Sequence, residues 1–149
     1  MVTGSIGSGK SSWLLAILGE MNITEGSVTS NGTIGYLEQE PWIVNGTIAE
    51  NVTIGRKFDK ARYAEVISVC CLSEDIAIIG EATVVGDRGT TLSGGQKARV
   101  GLARAVYADC DIYLLDDPLS ALDTQVARSV FEKCIVHYLE GKTRILVTH

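Results

Sequence analysis

The sequence predicts an α/β domain built around a mostly parallel sheet, and three observations carry that prediction. Residues 4–18, GSIGSGKSSWLLAIL, fit G-x-x-x-x-G-K-[ST] through Gly4, Gly9, Lys10 and Ser11, a spacing that cradles phosphate where a strand passes into a helix. Ile112 to Leu115 is an unbroken apolar run closed by Asp116 and Asp117, the form of a strand buried on both faces of a parallel sheet. Short β-prone runs also alternate with helical patterns along the chain, the order that lays helices against such a sheet.

Only Met1, Val2 and Thr3 stand before the phosphate loop, against about 5 to 6 residues for a mean strand. Either the motif is accidental, or the strand that aims the loop is cut short and the chain is expected to be a piece of something larger. Ser11 to about Met21 reads as a helix through Leu14, Leu15, Leu18 and Met21, closed by Asn22. In EGSVTSNGTIGYLEQ, two β-prone runs flank Asn31-Gly32, a hairpin turn signal. From Ile48 to about Leu72 the pattern is helical, with Tyr63, Val66, Ile67 and Cys70 as an apolar stripe expected in the core. Gly86 to Gly95 reads as a loop. Gln96 to Tyr107 has helical spacing in Val100, Ala103 and Tyr107, with Arg99 and Arg104 off that face. Asp123 to Leu139 forms a second long helix with Val126, Val130, Phe131, Cys134 and Tyr138 inward, and Thr143 to Thr148 a last strand. No repeat, linker or domain boundary interrupts the 149 residues.

Charged residues make up 21% and hydrophobic residues 46%, a globular composition. The net charge of -5 supplies no excess of positive charge for a polyphosphate backbone, so nucleic acid is not expected as a main partner. The longest apolar run, Trp13 to Leu18, is far below the roughly 18 residues of a membrane span. No leader opens the sequence, and a reducing compartment is the expectation. Cys70, Cys71, Cys110 and Cys134 lack paired C-x-x-C spacing and are expected as buried free thiols. The four N-x-[ST] matches at Asn22, Asn31, Asn45 and Asn51 should then be unmodified.

The chemistry follows from residue types. Gly4, Gly7 and Gly9 allow backbone conformations closed to other residues, so that successive N–H groups converge on phosphate oxygens at the positive end of a helix. Lys10 would neutralise the β- and γ-phosphates and the Ser11 hydroxyl would ligate Mg²⁺. Asp116 would hold Mg²⁺ mostly through water, because that ion dehydrates reluctantly. A glycine-rich turn and an aspartate pair before proline are also ordinary turn chemistry.

LSGGQ at 92–96, continued as LSGGQKARVGLARA, resembles the signature motif of the ATP-binding cassette (ABC) ATPases. The resemblance runs through the whole chain in order: the phosphate loop, Gln39 as the Q-loop glutamine, VVGDRG before the signature, Walker B ending at Asp116, SALD at 120–123 as the D-loop, and ILVTH ending at a switch histidine, His149. YLEQEPWIVNGTIAENV and LLDDPLSALD look like the first nucleotide-binding domain of the C subfamily, the multidrug-resistance-associated exporters.

The resemblance implies a P-loop NTPase fold, a RecA-like core with a helical subdomain over roughly 48–106 that carries the signature. In the family, strands bearing an adenine platform precede the loop and further helices follow the switch histidine. It implies ATP and Mg²⁺ as ligands. Nucleotide contacts would come from Gly4, Ser5, Ile6, Gly7, Ser8, Gly9, Lys10, Ser11, Ser12 and Gln39, and, toward a second cassette, from Ser93, Gly94, Gly95 and Gln96. Ser11, Gln39 and Asp116 would face the metal; Asp117, His149, Gln39 and Lys10 would be the catalytic set. The implied partners are a second cassette bound head to tail, with the signature acting in trans, and the transmembrane domains of the same transporter, at the cytoplasmic face of a membrane. Ser93 is also a good N-cap for the helix from Gly94, whose positive end would then point outward at a γ-phosphate.

One departure carries information. Most active cassettes have glutamate after the Walker B aspartate as general base, and this chain has Asp117, whose carboxylate stands about one methylene further back. A misplacement near 1 Å can cost about 100-fold in rate, so binding with slow hydrolysis is expected. Glu38 and Glu40 beside Gln39 add negative charge near phosphate. The leading reading is the ATP-binding half-engine of an export pump; the second is a regulatory nucleotide sensor of a channel or channel regulator. A soluble ABC protein of DNA repair or translation is disfavoured by the acidic balance and the exporter-like segments.

Overall fold

The computed structural model describes residues 1–87 and 89–148. In chain order it contains β1 (Val2–Thr3), α1 (Lys10–Leu18), β2 (Ile34–Leu37), α2 (Ile48–Thr53), α3 (Lys60–Val69), α4 (Ser73–Ile79), α5 (Gly94–Tyr107), β3 (Ile112–Asp116), α6 (Thr124–Val130), a π-helical segment (Phe131–Tyr138) and β4 (Thr143–Thr148). The four strands form one sheet in the order β1-β4-β3-β2, and every pairing is parallel. That is the predicted α/β class. β1 keeps two residues, Val2 and Thr3, paired with Val147 and Thr148.

Register sorts the side chains of β3 between two layers, because successive residues of a strand point to opposite faces. Leu114 packs with Leu14 of α1 and Val147 of β4, all essentially inaccessible, on one face. Tyr113 and Leu115 join the larger cluster on the other face, with Leu37, Val100, Leu102, Val106 and Leu146. α5 comes close to β2 because Gly101 has no Cβ; one built there would lie 2.4 Å from Cβ of Pro41 and 3.0 Å from Leu37. The segment after β2 is thereby seated directly on the helix.

Several sequence expectations are corrected. α1 ends at Leu18, not near Met21, because Gly19 takes a left-handed C-cap (φ 82) and its N–H bonds back to Ala16 O, as glycine readily does. The hairpin at Asn31-Gly32 does not form: among the described residues only Ile34–Leu37 is a strand there, and it pairs in parallel with β3. Gly32 (φ 115) instead leads into Thr33, whose N–H and hydroxyl both donate to Asp111 Oδ2, at 2.8 and 2.9 Å. Residues 48–72 are two helices, interrupted where Gly55 (φ 70) turns the chain; the stripe Val66, Ile67 and Cys70 is buried as expected. α4 was not legible as a separate helix.

The helix after Asp123 is continuous but widens into π-helix from Phe131. Val130 and Cys134 are buried and Val126 and Tyr138 pack against the core, as expected, whereas Ile135 is buried and Phe131 is 37% exposed, a local departure from the 3.6-residue expectation. All four cysteines are free, with Cys70, Cys110 and Cys134 buried. The Cys70 and Cys134 sulfurs lie 4.0 Å apart, and this hydrogen bond first, then burial, pushes the Cys70 thiol above its ordinary range. Among the described residues no helix is long and apolar enough to cross a membrane.

Candidate nucleotide site

The phosphate loop lies where β1 passes into α1. Gly7 (φ 79) and Gly9 (φ 88) are left-handed, a region that a side chain disfavours. Gly4 serves differently: a Cβ there would stand 2.9 Å from Ser8 Oγ, so its value is room. No side chain caps α1 and no acidic residue stands in its first turn, so its positive end is left for an anion from outside.

Lys10 is the first residue of α1 and is buried, with its Nζ donating to Gly4 O at 2.6 Å and Ser5 O at 2.9 Å. These bonds close the loop on itself and keep the ammonium among the loop's own carbonyls. Across the sheet, β3 carries Asp116, 3% exposed, at its C-terminal end, and β2 leads into Gln39. Ile6, Gly7, Ser8, Gly9, Lys10, Ser11, Ser12, Gln39 and Asp116 line one cavity of about 320 Å³. Residues more than a hundred positions apart thus meet at the C-terminal edge of the sheet, where open α/β sheets bind ligands. Tyr36 on β2 is pushed to a higher pKa by its burial and then by the charges of Asp116 and Glu38.

The donor set fits the ligands that the sequence predicts. A buried carboxylate, a hydroxyl and an amide oxygen are hard oxygen donors, the kind Mg²⁺ takes, and the glycine loop with Lys10 suits phosphate. A larger cavity of about 600 Å³, bounded by α3, α4, α5 and α6, includes Glu74, Asp75, Arg99, Asp123 and Lys133. It offers no glycine loop, and the start of α4, which lines it, carries Glu74 and Asp75 in its first turn, so chemistry rather than size decides between the two.

Asp117 is buried beside this site without being one of the described residues that form its wall. Its backbone is left-handed (φ 49), its N–H extends the sheet to Val147 O at 3.0 Å, and its Oδ1 accepts from Thr148 Oγ1 at 3.5 Å. His149, the expected switch residue, lies outside the described residues, as does Arg88 within VVGDRG.

The signature residues lie on a separate surface. Ser93 caps α5, which starts at Gly94, and forms a capping box with Gln96. Gly94 is exposed, with nothing within 4 Å of where a Cβ would be, whereas Gly95 rests on Ala121 O. Gln96, expected at the nucleotide of a second cassette, turns its amide toward its own chain here: Oε1 accepts from Ser93 N–H at 2.9 Å and Nε2 donates to Asp75 Oδ1 at 2.8 Å.

Sequence reasoning missed the polar side chains that hold these pieces. Arg99 and Arg104, expected off the apolar face, are both largely covered. Arg104 stacks on Trp42 at 3.8 Å and donates to Trp42 O at 3.0 Å and Asn51 O at 2.8 Å. Asn51, fully buried, bonds both Val44 N–H and Val44 O, so the segment after Gln39 is fastened to α2 and α5. Burial lowers the Arg104 pKa, with Glu38 opposing.

Residues 1–120 match the family described as ABC transporter. The chain belongs to the ABC transporter family. It is 55% identical over 150 residues to human ATP-binding cassette sub-family C member 4, covering 99% of this chain and 11% of that protein. It is 55% identical over 152 residues to Caenorhabditis elegans multidrug resistance protein mrp-7 (99% and 10%) and 50% identical to mouse ATP-binding cassette sub-family C member 2 (99% and 10%). The chain spans about a tenth of the length of these relatives, and it matches the nucleotide-binding domain of the C subfamily. Family membership agrees with the P-loop NTPase architecture seen here.

Proposed function

We propose that this chain binds Mg·ATP in the Lys10 cavity and hydrolyses it slowly, as one nucleotide-binding domain of a membrane exporter. The observation that carries this reading is the convergence of the glycine loop, Lys10, Ser11, Gln39 and Asp116 on one cavity. Backbone N–H groups of the loop and the start of α1 would bind phosphate. Lys10 would exchange the Gly4 and Ser5 carbonyls for phosphate oxygens. Ser11, Gln39 and Asp116 would hold Mg²⁺, which when bound neutralises charge on the phosphates. Asp117 would orient water, and His149 would complete the set.

ATP would be closed between two cassettes arranged head to tail, with Ser93, Gly94 and Gly95 facing the γ-phosphate of the partner cassette's nucleotide. The exposed, empty surroundings of Gly94 at a helix N-terminus support that role. The helices over roughly 48–106 would form the inserted subdomain that couples to transmembrane domains at the cytoplasmic face of the membrane. A second reading, a regulatory nucleotide sensor with little hydrolysis, is favoured by Asp117 alone; ATP-dependent accumulation of substrate in vesicles separates the two.

The metal assignment has its own test. In the full-length protein, Asp116→Asn should leave ATP bound in the cavity but remove the gain in affinity that Mg²⁺ confers on the wild type over EDTA. Losing charge-assisted contacts worth about 1.5 to 3 kcal/mol corresponds to a loss of roughly 10- to 100-fold. An undiminished Mg²⁺ effect would remove Asp116 from the metal site.

A further inference from the structure

The first turn of α5 is held from behind by a single carboxylate. Asp75, in the first turn of α4, accepts from Gln96 Nε2 at 2.8 Å and from Arg99 Nη1 at 2.6 Å, with Arg99 Nη2 at 3.4 Å. Arg99 also donates through Nε to Gly95 O at 3.3 Å and through Nη1 to Cys71 O. The two charged side chains are only 12% and 15% exposed, so the pair is screened far less than a surface ion pair.

The consequence lies in the direction of an amide. An ionised carboxylate only accepts hydrogen bonds. Gln96 must therefore show its NH₂ to Asp75, which turns its oxygen to the Ser93 N–H at 2.9 Å. Ser93 Oγ in turn accepts from Gln96 N–H at 3.2 Å, and the capping box closes. Reversing the amide would set two donors against each other at Ser93.

We propose that Asp75 is a positioning residue for the phosphate-facing turn: it fixes the Gln96 amide so that the Ser93 cap closes, and through Arg99 it holds the Gly95 carbonyl. Gln96 then acts on its own helix and not on nucleotide. The turn is preformed, with its Gly94 edge outward, before any partner arrives. This inference rests on the reading of Ser93 to Gly95 as facing a γ-phosphate in the partner's site.

The test is a swapped pair in the full-length protein. Asp75→Asn offers one acceptor where Gln96 and Arg99 need two, and Gln96→Glu sets two carboxylates against each other. Each should cut ATP turnover roughly 10-fold or more, as expected for losing a hydrogen bond to a charged group. ATP labelling at the Lys10 cavity should stay unchanged. In the double variant, the introduced asparagine donates to the introduced glutamate, whose other oxygen accepts from Ser93 N–H, while the asparagine oxygen accepts from Arg99. Turnover should return close to wild type, and labelling that stays unchanged in every variant separates this role from general stability, whose loss would lower both readouts.

A double variant no faster than its slower parent, or an Asp75→Asn variant with undiminished turnover, overturns the proposal. Should a single variant fail to fold, the double variant decides by the same rate. Gly94→Asp run alongside separates the two levels: if it leaves turnover intact, the phosphate-facing reading of the turn falls and the role of Asp75 with it; if it abolishes turnover, the result concerns Asp75 alone.

Discussion

Replacing Gly94 by aspartate should abolish ATP turnover at the site that this chain's signature completes, while the Lys10 cavity still binds nucleotide. Gly94 is the first residue of α5, and a Cβ added there meets nothing within 4 Å, so the backbone leaves room for the new side chain to start outward. An acid in the first turn is favourable to the helix dipole, and the variant should fold. Against a γ-phosphate about 4 Å away, like charges at an effective dielectric near 20 cost about 4 kcal/mol, roughly a thousandfold in rate. The measurement is site-resolved nucleotide trapping in the full-length protein. Damage confined to the Lys10 cavity would show that the head-to-tail arrangement is wrong here.

Asp117→Glu should raise hydrolysis at the Lys10 site by roughly 10- to 100-fold, equivalent to about 1.4 to 2.7 kcal/mol of transition-state stabilisation. The introduced carboxylate advances by one methylene toward the water that it must orient. Part of the gain is offset, because position 117 is left-handed (φ 49), a conformation that aspartate tolerates better than glutamate. Asp117→Asn should lower the rate further by removing the base. Nucleotide binding should change little in either variant, since Lys10, Ser11 and Asp116 are untouched. With the partner site disabled, an unchanged rate in Asp117→Glu would put the limiting step elsewhere, in opening of the dimer or in another group.

How far the sequence could be read depended on how local each signal was. The phosphate loop, the Ser93 cap and the Ile112–Asp116 strand are written in contiguous residues, and the structure forms all three. Asn31-Gly32 misled because a turn dipeptide carries no information about which strand lies beside it; β2 found β3 in parallel, and Asp111 took the Thr33 N–H. Phe131 was misplaced because a π-helix does not keep the 3.6-residue period on which the reading relied, while Cys134 and Tyr138 face inward as expected. In the site, Lys10, Ser11, Gln39 and Asp116 were legible from motifs. Asp75, Arg99 and Arg104 were not, because their meaning lies in contacts 21 to 62 residues away in sequence, and Asn51 was not, because its bonds to Val44 run back across a loop that no periodic pattern marks. Gln96 belonged to a recognised motif, yet its inward amide depends on Asp75, which no local pattern marks.

Every other role proposed for this chain depends on the Lys10 cavity being the ATP site. The direct measurement is photolabelling of this cassette in the full-length protein with an azido-ATP in Mg²⁺, comparing wild type with Lys10→Ala. Removing a buried ammonium that contacts phosphate should weaken labelling of this cassette by about 10- to 100-fold, and leave labelling of the partner cassette in place. Wild-type labelling in Lys10→Ala would place the bound ATP outside the Lys10 cavity.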